Sequence, residues 1–504
     1  MTETLSSDVV VVGGGNAALS AALAAAEGGA RVRLLEAAPE EERGGNSTYT
    51  AGAMRVVFDG ADALRALIPD LSDRELAETD FGAYTEADYY DDMARLTQYR
   101  ADPDLVEQLV TRSHPTLLWL RKLGVRLQPS YGRQAFKRAD GRFRFWGGLA
   151  VEAWGGGPGL VDALYRAAAE AQVAVHYRAQ ALSLIADDAG VRGVRGVRAL
   201  IEGRTVEVRA NAVVLACGGF EANAAWRARY LGPGWDLAKV RGTRFNQGDG
   251  IRMALEAGAM PAGHWSGCHA VAWDRNAPAF GDLAVGDGFQ KHSYPFAIIV
   301  NAAGERFVDE GADFRNYTYA AYGRRVLEQP GQVAWQVFDS QVTHLLRDEY
   351  RIRQVTRAKA DSLEDLAARM EGIDGARFLE TVRAYNDAVM TEVPFDPTVK
   401  DGRGTRGITP PKSNWANRIE TPPFEAYAVT CGITFTFGGL AIDPEARVQA
   451  VSGAPIPGLF AAGELVGGLF YGNYPGGTGL VSGAVFGRLA GTGAARFAQE
   501  GRDR

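Results

Sequence analysis

Positions 8–12 read Asp-Val-Val-Val-Val, an apolar run without the alternation of a half-exposed strand. Such a run predicts a strand buried on both faces of a parallel sheet. Gly13-Gly14-Gly15 makes the turn after it, and the Ala-rich stretch 16–27 predicts a helix that Gly28-Gly29 stops. Positions 31–36 (Arg-Val-Arg-Leu-Leu-Glu) form the next strand. Together these pieces predict a compact βαβ unit.

Farther along, residues 60–130 combine charged faces with apolar stripes and predict mostly helix. The pattern gives a helix over 158–171, strands over 173–177 and 181–185, and a β-meander over 194–201 and 205–208. Positions 211–216 are a second buried strand, ending at Cys217-Gly218-Gly219. The rhythm breaks over 265–425, where aromatics, prolines and charges surround helical patches at 363–370 and 377–390. Residues 400–407 are polar and glycine-rich, the composition of a flexible linker. The first style returns at 457–464, strand then turn, and at 479–498, a small-residue helix. The expected fold is α/β: a Rossmann-like dinucleotide-binding domain built from 1–264 and 426–504, with an α+β cap domain inserted at 265–425.

A chain of 504 residues exceeds one ordinary core, and its 46 % hydrophobic and 23 % charged content suits a globular protein with room for a buried cavity. The net charge of −7 argues against a nucleic-acid partner, which needs a basic face. Cys217, Cys268 and Cys431 are odd in number and far apart. They form no CxxC pair for a metal or an iron–sulfur cluster and predict reduced thiols in a cytoplasmic protein with no metal site. The apolar run at 9–26 lacks a basic flank and is cut by three glycines, so it predicts neither a targeting signal nor a membrane span.

The first βα turn carries chemistry. Gly13 permits the tight turn, and Gly15 lets a pyrophosphate approach the backbone at the helix N-terminus. Ala18 takes the third fingerprint position, where a small residue lets helix and strand pack. Glu36 ends the second strand, where a carboxylate binds a ribose hydroxyl pair. Three further signals favour FAD. They are Arg43-Gly44-Gly45-Asn46-Ser47, the strand ending at Cys217-Gly218-Gly219, and Ala461-Ala462-Gly463-Glu464. Glu464 is placed to hold ribitol hydroxyls. The helix beginning near Gly479-Leu480 turns its N-terminal dipole toward the charge that a reduced flavin carries.

The stretches 11–19, 38–47, 301–317 and 473–480 together resemble the fumarate reductase/succinate dehydrogenase flavoprotein superfamily, and within it the tricarballylate dehydrogenases. The resemblance covers essentially the whole chain and completes the expected cofactor shell with Asn16, Ala17, Gly52, Ala181 and Asp249. It places Asn46 where some members attach FAD through a histidine, which implies non-covalent FAD. It matches Arg315 to the arginine that protonates substrate in fumarate reductases, and His269 to a carboxylate-binding histidine. Other clamp residues differ. Phe435 stands for a substrate-binding histidine, Tyr474 for a second carboxylate-binding arginine, and Gln290 for a glutamate of the proton relay. Tyr474-Pro475-Gly476 is similar to a 3-ketosteroid dehydrogenase motif whose tyrosine polarises a carbonyl.

The candidate catalytic residues are therefore Arg315, Tyr474, His269 and His292. Arg315 suits an acid in the reducing direction or a bidentate carboxylate clamp, unless it is a surface salt bridge to Asp309, Glu310 or Asp313. Tyr474 can donate to a carbonyl or be a packed aromatic. Lys291 would add charge beside His292. The run Arg133, Lys137, Arg138, Arg142 and Arg144 is either an anion patch or a solvated face. The expected reaction is dehydrogenation of a small polycarboxylate, of the tricarballylate to cis-aconitate type. A ketone-bearing substrate worked on by Tyr474 is the alternative, and a substrate-free electron-transfer scaffold or a monooxygenase the outside readings. A quinone or a separate iron–sulfur membrane protein is the expected electron acceptor.

Overall fold

A computed structural model describes residues 3–186 and 193–501. Its main sheet has six strands in the order Ala174–His176, Val32–Leu35, Val9–Val12, Ala212–Leu215, Pro455–Ala461 and Arg447–Gln449. All pairs are parallel except the last, an antiparallel edge. Val9–Val12 lies at the centre with every residue buried, as its unbroken apolar run requires. The C-terminal strand Pro455–Ala461 joins the same sheet, so the two ends of the chain share one core.

Helix Asn16–Glu27 packs on this sheet, Gly156–Glu170 packs on that helix, and Thr478–Glu500 packs on the sheet again. The first and last meet through small residues. A Cβ on Gly487 would lie 2.4 Å from the Ala17 carbonyl oxygen, and one on Gly491 only 2.0 Å from that of Ala21. The glycines let two helix backbones touch, which holds the end of the first helix against the last.

The expected meander forms a separate four-stranded sheet of Ala179–Ala186, Val194–Ile201 and Arg204–Arg209. Its fourth strand is Glu3–Ser6, which the sequence pattern does not announce.

The region 265–425 builds on a second large sheet. Phe424–Leu440 is its spine, pairing with Pro261–Asp274, Ala334–Phe338, Arg357–Ala360 and Lys239–Val240. Ile298–Asn301 adds the outer strand. Pro261–Asp274 and Phe424–Leu440 run through positions 264/265 and 425/426, where composition changes, and bring chemistry from both regions to one place. Helix Arg315–Leu327 packs on Pro261–Asp274, with Gly323 against the Ala270 backbone. The stretch 400–407 is not a free linker. Asp401 accepts from the Arg403 and Trp415 N–H groups at 2.9 Å, and the Arg403 guanidinium donates to the Ala416 carbonyl. Among the described residues no helix is long and apolar enough to cross a membrane.

Candidate active site

One elongated cavity runs from the first βα turn to the junction of the two large sheets. At its first end Gly13 has φ +114°, and a Cβ there would lie 2.3 Å from the Ala216 carbonyl oxygen, so the fold itself demands glycine. Gly15 is different. A Cβ there would meet nothing closer than 3.4 Å, on Gly44 and Ser47. Protein packing alone does not require glycine there, and Gly15 lines the cavity beside a helix N-terminus suited to a pyrophosphate. Asn16 donates from Nδ2 to the Leu480 carbonyl at 2.7 Å, which leaves its buried Oδ1 without a partner. Glu36 lines the same end and accepts from the Ala38 N–H at 2.9 Å. Burial pushes its pKa up to about 7.

Midway, polar groups interlock. Asn46 Nδ2 donates to Glu221 Oε1 at 2.7 Å and to the Thr434 carbonyl at 2.6 Å, while its Oδ1 accepts from the Thr243 N–H at 2.9 Å. Asn246 donates to the same Glu221 oxygen at 2.5 Å. Glu464 Oε1 accepts from the Thr436 N–H at 2.8 Å. Burial and the nearby Glu464 charge drive the Glu221 carboxyl well up, which favours its neutral form.

The far end is made by helix Arg315–Leu327 and the strand pair carrying His269 opposite Phe435. Arg315 is buried. It donates to His292 Nδ1 at 3.2 Å and to the Arg133 carbonyl at 2.6 Å. A guanidinium only donates, so His292 Nδ1 accepts, and the neutral ring carries its proton on Nε2. That Nε2 has no partner. Burial and the Arg315 charge hold the His292 pKa well below its ordinary value, and burial and Arg241 do the same to His269. Burial, with Arg133 nearby, also lowers the Arg315 pKa against the opposing pull of the Glu349 carboxylate.

Arg241 and Arg133 share one carboxylate, Asp287, at 2.7 and 3.3 Å. Arg315 has no carboxylate within salt-bridge distance among the described residues. Tyr474 and Tyr319 are joined hydroxyl to hydroxyl at 2.5 Å. His269 packs among Tyr319, Tyr474 and Phe435 at ring distances of 4.9, 4.9 and 5.1 Å, with neither ring nitrogen partnered.

A family model described as an FAD binding domain matches residues 8–481. A probable fumarate reductase of Shewanella frigidimarina is 30 % identical over 93 % of this chain and 71 % of its own. The chain belongs to the fumarate reductase/succinate dehydrogenase flavoprotein superfamily. This flavoprotein is also similar to a 3-oxosteroid 1-dehydrogenase of Mycolicibacterium smegmatis, 27 % identical over 77 % of this chain and 68 % of that one. Among solved structures, the open form of a flavocytochrome c3 fumarate reductase matches with a TM-score of 0.71 at 28 % identity. That match covers 98 % of this chain and 79 % of the other. FAD is the cofactor, and the unpartnered Asn16 Oδ1, the open face of Gly15 and the terminal Glu36 fit its dinucleotide part.

Of the residues expected at the cofactor, Gly13, Gly15, Asn16, Ala17, Glu36, Gly45, Asn46, Ser47, Ala181, Cys217, Gly218, Asp249, Glu464, Gly479 and Leu480 line the cavity of this flavoprotein. Three do not. Ala18 is fully buried in helix packing. Arg43 faces Glu40 and Asp162 and lies over the Tyr165 ring. Gly52 serves a turn of φ +78°, where a Cβ would strike the Gly156 backbone at 2.8 Å.

All four candidate catalytic residues, Arg315, Tyr474, His269 and His292, line the cavity. The alternative of an Arg315 salt bridge fails, since Asp309, Glu310 and Asp313 bind Ser413, Arg306 and Arg95 instead. Lys291 does not reach the site. Its Nζ lies 3.8 Å from buried Asp274 and donates to backbone carbonyls. Of the basic run only Arg133 lines the cavity, whereas Lys137, Arg138 and Arg142 are exposed.

Sequence reading missed Tyr319, Arg241, Asp287, Glu221 and Asn246. Tyr319 had a signal: it stands four residues after Arg315 in a helical stretch, hence on the same face. The others come from distant loops and strands, with no local mark.

Proposed function

We propose that this FAD-dependent oxidoreductase adds or removes hydrogen across a C–C bond next to a substrate carboxylate, with Arg315 as the carboxylate partner or proton donor. The observation that carries the reading is a buried guanidinium in the cavity with no carboxylate in salt-bridge contact among the described residues, Glu349 acting on it only from farther away. Such a charge is costly unless an anion arrives with the substrate. When bound, FAD supplies a two-electron hydride exchange.

The chain's own residues do the rest. Arg315 has guanidinium N–H groups beyond those given to His292 and Arg133, in the fork that fits a carboxylate. Its lowered pKa makes it a better acid than a solvated arginine. His292 holds the guanidinium in place and presents Nε2–H to the cavity. Phe435 and Phe470 line the site beside Tyr474 and exclude water.

Asn46 gives both its N–H donors to protein groups and, being an amide, offers no nucleophile, which supports non-covalent FAD. We take residues 265–425 as the cap over the flavin, and a quinone or a separate iron–sulfur membrane protein as the electron partner of a cytoplasmic enzyme. Tricarballylate is the first polycarboxylate to test. Phe435 and Tyr474 supply no charge for its further carboxylates. A second reading, a ketone-bearing substrate, is favoured by the Tyr319–Tyr474 hydroxyl pair.

The test is Arg315→Ala. The variant is expected to keep its FAD and to lose about a thousandfold in kcat/KM on the carboxylate substrate, a loss of about 4 kcal/mol in transition-state stabilisation. Undiminished turnover would remove Arg315, and with it the carboxylate reading.

A further inference from the structure

The stretch 287–292 wraps around one of its own side chains. Lys291 is fully buried, and its Nζ donates to the carbonyls of Gly288, Phe289 and Gln290 at 3.2, 3.2 and 3.1 Å. An ammonium has three N–H donors, and three carbonyls take them. A neutral amine has two, and it turns a lone pair toward the third carbonyl. Only the charged form satisfies the whole arch.

The Lys291 backbone is fixed separately. Its N–H donates to the Ala272 carbonyl at 3.0 Å, and its carbonyl accepts from Gln336 Nε2 at 3.0 Å. The side chain is therefore free to shape the arch. Acidic groups face the ammonium from three elements. Asp274, ending strand Pro261–Asp274, stands 3.8 Å away. It also accepts from the Thr356 N–H and hydroxyl, and its charge acts on Lys239 as well. Glu349 and the Tyr350 ring, 5.7 Å from Nζ, belong to the turn Asp348–Tyr350, and Asp287 to the turn Gly286–Phe289.

The two ends of the arch orient the cavity arginines. Asp287 opens it and accepts from Gln290 Nε2 at 2.7 Å, Arg241 Nε at 2.7 Å and Arg133 at 3.3 Å. His292 closes it and accepts from Arg315 at 3.2 Å.

We propose that Lys291, which does not reach the cavity, is a positioning residue for its arginines: the ammonium holds the arch, and through Asp287 and His292 the arch holds Arg133, Arg241 and Arg315. This goes beyond the carboxylate reading, because it concerns how the arginines are set and applies to any ligand they meet. It also makes their placement sensitive to pH. Burial pushes the Lys291 pKa down to about 8 against the pull of Asp274, Glu349 and Asp287. The arch is closed while the ammonium is present and loosens as pH rises through that value.

The test is NMR of the FAD holoenzyme carrying 15N in histidine and arginine, with no substrate added. The ring nitrogens of His292 and the Arg241 Nε–H report the two ends of the arch, and His292→Gln and Arg241→Lys assign them. His292 does not titrate in this window, since burial and Arg315 hold its pKa well below its ordinary value. In the wild-type protein both signals are expected to move together as pH rises, with a midpoint of about 8. Lys291→Met is expected to place both signals at their alkaline positions at neutral pH and to abolish the step. Lys412→Met is the control. That lysine is also buried, with its pKa pushed down to about 8, yet it donates to the Pro295 and Ala297 carbonyls outside the arch. The step is expected to survive there. A wild-type protein with no step, a step that persists in Lys291→Met, or one that Lys412→Met removes overturns the proposal. The wild-type titration decides even if Lys291→Met fails to fold. With no substrate present, failure here is distinct from failure of the Arg315→Ala test.

Discussion

Glu36 sits where a strand ends and a cofactor begins, and its protonation state decides what it can hold. It binds ribose hydroxyls best as a carboxylate, which is an acceptor only. Burial has pushed its pKa up to about 7 in the protein without ligand. FAD binding then has to displace a proton whenever the pH lies below that value. Affinity of the apoprotein for FAD is expected to fall about tenfold per pH unit below 7 and to level off above it. Titration of apoprotein with FAD between pH 5.5 and 8.5 measures this, and Glu36→Gln should flatten the curve. The same raised pKa means that the folded apoprotein binds more protons than the unfolded chain between the usual carboxylate range and 7. The contribution of Glu36 to apoprotein stability is therefore largest in acid and is lost as pH rises through 7. Asn46 makes a second point at this scale. With an amide there in place of a nucleophile, acid precipitation should leave all the flavin in the supernatant, and yellow colour kept in the pellet would show a covalent link.

Among elements, the crossing of Asn16–Glu27 with Thr478–Glu500 ties the cofactor turn to the end of the chain. Gly491 has the least room, with the Ala21 carbonyl 2.0 Å from where a Cβ would stand. Gly491→Val must push the helices apart. It is expected to cost about 1–3 kcal/mol, read as a lower urea midpoint, and to weaken FAD retention. An unchanged midpoint would show that the helices have slack. The βαβ unit was legible in the sequence because it is local: strand, turn, helix and strand follow within 36 residues, each with its own chemical mark. The second sheet was not. Phe424–Leu440 is buried along nearly its whole length, so it lacks the alternation that betrays a strand, and its partners come from four places along the chain. The site inherits this division. Gly13, Gly15 and Glu36 announce themselves, whereas Arg241 and Asp287 meet only once the fold brings loops together.

Across the whole molecule, the charge is segregated. The chain carries a net −7, yet the substrate end of its cavity gathers Arg133, Arg241 and Arg315, of which the first two share the Asp287 carboxylate. The net charge argues against a nucleic-acid partner, yet it does not prevent a local cationic pocket, and one is present. Its histidines are held neutral by burial, so its charge is the arginines' own. The central claim is that this charge meets a substrate carboxylate beside the flavin. The most direct measurement is anaerobic mixing of the oxidised holoenzyme with saturated carboxylates, and of the dithionite-reduced holoenzyme with their unsaturated partners, followed at the flavin absorbance. Bleaching in the first case, or recovery of colour in the second, that is lost in Arg315→Ala is the predicted result. Flavin that responds only to substrates without a carboxylate, or equally in the variant, would contradict the account.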